Sequence, residues 1–84
     1  MLTTTKLQEA REHARIMSLR FPKEVRRDVL FSLLTKMGFS IPHCSRCYEV
    51  PVGEVRGSVE RGNQILASAI KLGRVKASDL RFSR

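Results

Sequence analysis

The strongest constraint on the fold lies between Pro22 and Gly38, in the stretch PKEVRRDVLFSLLTKMG. Val25, Val29, Leu30, Leu33, Leu34 and Met37 recur there every three or four residues, the period of a helix with one buried face. Pro22 suits an early helical position, because its ring fixes φ and its missing N–H has no helical partner to lose. Gly38 suits the end, where a residue able to take positive φ is needed. A helix over 22–37 with this much apolar surface has to be covered by other helices. The expected class is all-α.

The rest of the chain supplies those helices. Residues 5–20 place Leu7, Ala10, Ala14 and Met17 at helical spacing, with Ile16 and Leu19 widening the stripe. Thr5 and Gln8 are spaced as a capping box, and Phe21-Pro22 ends the pattern. Arg11, Arg15 and Arg20, mixed with Glu9 and Glu12, read as a solvated face, and His13 beside them needs no special role. Beyond Gly38, Ser40 is placed to cap a helix that buries Cys44, Cys47 and Tyr48. Glu49-Val50-Pro51 then leaves room for a short turn, the span that helix-turn-helix units use. A second helix starts near Pro51, buries Val55, Val59 and Leu66, and continues past Ala67, Ala69, Ile70 and Leu72 to Gly73. Ser78-Asp79 opens a last turn, with Leu80 and Phe82 folding back; a short helix, a strand-like arm and a frayed end all stay open. The expectation is one helical domain over 1–84, of four to five helices, with a helix-turn-helix at about 40–72 and a basic tail at 73–84.

Charge narrows the partners. Sixteen Lys and Arg against eight Asp and Glu give +8 on 84 residues, a bias toward nucleic acid first and a membrane surface second. Both halves carry it equally, so the domain itself is basic. Few aromatics and no Trp argue against single-strand binding by stacked rings. The absence of an apolar leader or a span of ~20 apolar residues sets the expectation of a cytoplasmic protein with reduced cysteines. At this size such a domain often completes its core by dimerising or docking.

His43-Cys44-Ser45-Arg46-Cys47 contains a Cys-x-x-Cys, yet zinc needs four ligands and the βαβ setting of a redox motif is missing. Core packing is the favoured reading of both cysteines. No nucleophile beside a base, phosphate loop or framed carboxylate pair is present. No enzyme activity, cofactor or metal is expected.

Gly38-Phe39-Ser40, then Val50-Pro51-Val52-Gly53-Glu54-Val55-Arg56 and Arg61-Gly62, resemble the helix-turn-helix of region 4 in extracytoplasmic-function sigma factors over about 25 residues. Tyr48 and Gly53 also make the stretch similar to bacterial adhesin-operon regulators of the PapB type. Both resemblances imply a tri-helical DNA-binding core. Ser45 stands where the sigma pattern has alanine, Glu49 where it has the turn glycine, and Glu54 where it has threonine. Gly57 falls where a base-reading side chain is common. Nothing in this chain corresponds to a promoter-melting or core-binding region.

With Val55, Val59 and Leu66 buried, the opposite face of the second motif helix shows Gly53, Glu54, Arg56, Gly57, Glu60, Arg61 and Gln64, with Asn63 beside them. Arg56 is suited to guanine, and Gln64 or Asn63 to a base or a phosphate. Glu54 and Glu60 are suited to accepting from cytosine or to pairing with Arg61 and Arg56. Phosphate contacts are expected from Ser40, Arg46, Arg26, Arg27, Lys71, Arg74 and Lys76. The function expected is a sequence-specific duplex-DNA-binding transcription regulator acting as a homodimer. The alternatives are a protein-interaction module docking on RNA polymerase or another host protein, and a basic RNA-binding protein.

Overall fold

The structure is a computed structural model that describes residues 4–80, with side chains from residue 7 onward. Four α-helices follow one another: α1 (Thr4–Ser18), α2 (Arg26–Lys36), α3 (Ile41–Tyr48) and α4 (Val52–Lys71). Single 3-10 turns lie at Lys23–Val25 and Ala77–Leu80. No strand occurs among the described residues, and none of their helices is long and apolar enough to cross a membrane. The all-α expectation holds.

Helix α2 is the centre. It lies against α4 along its length, with α1 and α3 covering other sides. One buried face was expected, with Val29, Leu33 and Leu34 on it, and these three are buried. Phe31 and Ser32 are buried as completely, because a helix with neighbours around it has no solvent face at its middle. Phe31 meets the half-buried Tyr48 of α3 edge-on, at 5.4 Å between ring centroids. Leu30, Met37 and Val25 pack against the core from its margin.

The helix ends follow the chain's punctuation with small shifts. Gly38 and Gly73 both take positive φ, 103° and 74°. In each case the next residue donates its N–H back over the last turn, Phe39 to the Leu34 carbonyl (3.0 Å) and Arg74 to that of Ala69 (2.9 Å). These are the closures that free the last carbonyls from needing water. Pro22 stays outside α2, since the chain makes a 3-10 turn before the helix begins at Arg26. Pro51 is likewise one residue early, sitting extended as the cap of α4. Thr5 lies inside α1 and not at a cap. Ile16 and Leu19 do not widen the buried stripe of α1; they are 51% and 48% exposed, because α2 covers only the Ala10–Ala14–Met17 side.

The α3–α4 junction is tightly specified. Ser40 Oγ accepts from the His43 N–H at 3.1 Å, capping α3 as expected. Glu49 is left-handed, at φ 54° and ψ 45°. The Val50 N–H donates to the Ser45 carbonyl at 3.2 Å, while Ser45 Oγ donates to the Val50 carbonyl. Ser45 thus clasps the turn from both directions. Left-handed backbone costs an L residue about 1–2 kcal/mol, partly offset when glycine brings its own entropy loss of about 0.5–1 kcal/mol. Glu49→Gly is therefore expected to stabilise the fold by about 0.5 kcal/mol, or about 3 °C in a melt followed by circular dichroism. A lower melting temperature would contradict the assigned turn. In the tail, Val75 and Leu80 are buried, so the chain folds back through a 3-10 turn. Arg81, Phe82 and Arg84 lie outside the described residues.

Candidate nucleic-acid interface

The placement of α4 is set by the face it presents to α2. Val55, Ser58, Val59, Gly62, Leu66 and Ala69 are the buried residues of α4, and the two that meet Asp28 are small for a reason. A Cβ on Gly62 would lie 2.0 Å from the Asp28 carbonyl oxygen and 2.8 Å from Ser32 Cβ. Only glycine lets the two helices approach this closely. Ser58, fully buried, donates to the Asp28 carboxylate.

Asp28 is the hub of this seam. Its carboxylate also accepts from Arg61, Nε at 3.1 Å and Nη2 at 3.3 Å. Burial alone would push its pKa up. The bonds from Arg61 and Ser58, with the nearby charges of Arg61 and Arg27, outweigh that and hold it below its usual value of 3.8. On the other flank of α4, Ser32 donates to the Asn63 side-chain oxygen. Arg61 and Asn63 therefore straddle α2 and hold α4 against it.

This alters the expected contact set. Glu60, Gln64, Arg56 and Gly53 are exposed, and Gly57 is half-exposed. Gly53, Gly57, Glu60, Gln64, Ala67 and Lys71 fall on one stripe facing away from α2, with Arg56 at its edge. Arg61 and Asn63 are exposed but turned toward α2 by their bonds, so the ion pair of Arg61 is with Asp28, and Glu60 adds only its nearby charge. Glu54 faces Arg27 instead, at 3.9 Å with both side chains more than half exposed, a contact of little energetic weight. Neither stripe glycine is demanded by the fold. A Cβ on Gly53 would meet nothing within 4 Å, and one on Gly57 only the tip of Arg61 at 3.3 Å.

The expected phosphate contacts also divide. Arg46, Arg27, Lys71, Arg74 and Lys76 are exposed. Ser40 is exposed too, its oxygen engaged as the cap of α3. Arg26 is half-buried and donates to the Phe21 carbonyl at 2.9 Å, which holds it to the chain's own backbone. The cysteines part company: Cys44 is buried and Cys47 exposed. Burial pushes the Cys44 thiol up. Cys47 lies about 60° around the helix from Cys44, past the edge that neighbouring helices cover, and its sulfur is 3.4 Å from His43 Nε2.

Asp28, Ser32 and Ser58 had no expected role, and Gly62 entered only as part of the motif resemblance. The signal for them was a pair of small residues four apart, Ser58 and Gly62, on the side of α4 that also holds Val55 and Leu66. Compared with known proteins, the chain matches no family model, no curated protein and no solved structure.

Proposed function

We propose that this chain is a small duplex-DNA-binding transcription regulator. In this reading α3 and α4 form a helix-turn-helix, α4 enters the major groove, and the active species is a homodimer. The observation that carries the reading is the outer stripe of α4, where two glycines the fold does not require stand on a helix of a +8 chain. Glycine in a helix costs about 0.5–1 kcal/mol relative to alanine. Bare backbone at Gly53 and Gly57 lets the helix sit closely on a groove wall, where Arg56 and Gln64 reach base edges and Arg46, Lys71 and Lys76 meet phosphate. The small, sparsely charged stripe favours recognition that leans on shape and backbone contacts as well as base edges.

The test pairs stability with binding. Gly53→Ala/Gly57→Ala is expected to raise stability in urea unfolding by about 1 kcal/mol and to weaken binding to a DNA site selected from random duplexes. Arg56→Ala is expected to cost about 1–3 kcal/mol at one base position, against a background affinity that falls steeply with salt. Weak, equal binding to every duplex, unchanged by either variant, would sink the proposal. A second reading, docking on a protein partner, draws on Leu72, 68% exposed. Recovery of a protein partner after nuclease treatment, with no selected DNA site, would favour it.

A further inference from the structure

A cleft of about 650 Å³ opens on the side of the molecule where the start of α2, the C-terminal half of α4 and the chain after α4 meet. Its apolar lining includes Phe21, Val25, Ile65, Leu72 and Val75. Phe21 and Val75 are buried, whereas Leu72 is 68% exposed, so the apolar surface runs from the floor of the cleft out to its mouth. The volume lies within the range of small-molecule sites, which combine an apolar wall with a few placed polar groups.

The charged groups among them are mostly basic. Arg20, Arg61 and Arg74 line the cleft, and Asp28 is the acid among them. Asp28 is already engaged by Ser58 and Arg61. Arg20 reaches Asp79 only at 3.8 Å, with both side chains roughly half exposed. No hydrogen bond or ion pair holds the Arg74 guanidinium among the described residues. A cleft with an apolar lining and two loosely held guanidiniums complements a ligand that is apolar along its body and anionic at one end. Guanidinium is also the side chain best shaped to take a carboxylate.

We propose that this cleft is a binding site for a small organic anion with an extended apolar body. Its anionic head meets Arg20 and Arg74, and its body lies against Val25, Ile65 and Val75. The cleft borders the outer stripe of α4 at Gln64, but the proposal does not require DNA binding, because neither Gly53 nor Gly57 lines it.

The experiment titrates the full chain, isotope-labelled for amide correlation spectra, with decanoate, decanol and decylammonium below their aggregation limits. Decanoate is expected to give saturable shifts at the amides of Val25, Ile65, Leu72 and Val75, and to bind at least about tenfold more tightly than the other two. Arg74→Glu is expected to weaken decanoate by at least about tenfold, with the spectrum of the folded protein retained. Arg46→Glu makes the same charge change on α3, away from the cleft, and is expected to leave decanoate binding unaltered. Equal binding of all three probes would reduce the cleft to a nonspecific apolar patch and overturn the proposal. So would equal losses in the two variants or absence of saturable shifts.

Discussion

Gly62→Ala is expected to destabilise the protein by about 3 kcal/mol, at the upper end of what overpacking a core costs. The added carbon would lie 2.0 Å from the Asp28 carbonyl oxygen and 2.6 Å from its carbon. Those atoms are backbone inside a helix and cannot swing aside. The helices themselves must separate, which loosens the Leu66 and Val55 contacts and lengthens the bonds from Ser58 to Asp28 and from Ser32 to Asn63. Alanine's better helix propensity, up to about 1 kcal/mol, offsets only part of this. Urea unfolding followed by circular dichroism measures the change. In a domain whose total stability is about 5–15 kcal/mol, such a loss moves the midpoint far outside error. An unchanged midpoint would show that α2 and α4 do not approach this closely.

Asp28→Ala is expected to cost about 2–4 kcal/mol. The largest part comes from Ser58, whose buried hydroxyl loses its acceptor, a loss of about 1–3 kcal/mol. Arg61, exposed, loses a partner but keeps its water. A double-mutant cycle isolates the first part, because Ser58→Ala should cost clearly less once Asp28 is gone. The effect also depends on pH with a definite sign. The folded protein holds the Asp28 pKa below the usual 3.8, so its contribution is complete above that value. As pH falls below 3.8 and through the folded pKa, the contribution is lost. The stability difference between the native chain and Asp28→Ala should therefore be constant near neutrality and shrink in acid. A difference that grew in acid would show that burial, and not Arg61 with Ser58, governs the carboxylate.

Helix positions and the residues that end them were readable from the chain because their causes are local. The apolar period of 22–37, the glycines at 38 and 73, and the Ser40 cap each act within a turn or two. What escaped was everything that depends on how many neighbours a helix has. Phe31 lies off the face marked by Val29 and Leu33, and it is buried where Tyr48 of α3 packs edge-on against it. Ile16 and Leu19 read as core and lie exposed because no element covers that side of α1 among the described residues. Cys47 shares a motif with Cys44 but not its surroundings. On the candidate interface, the outer stripe of α4 followed from helical spacing, whereas the inward turn of Arg61 and Asn63 required partners some thirty positions earlier in the chain. Charge alone marks such arginines as available; only the fold shows that Arg61 and Arg26 are spoken for.

The seam between α2 and α4 also limits the routes by which this sequence can change. Position 62 tolerates a larger residue only if the helices move apart, and that movement would leave Ser58 without Asp28. Position 58 could then become apolar at little cost, and position 28 would be released in turn. Residues 28, 32, 58 and 62 consequently form one linked set, in which the effect of a substitution takes its size, and even its sign, from the identity of the other three. Descendants of this chain would keep all four or replace several together, with single replacements passing through poorly folded intermediates.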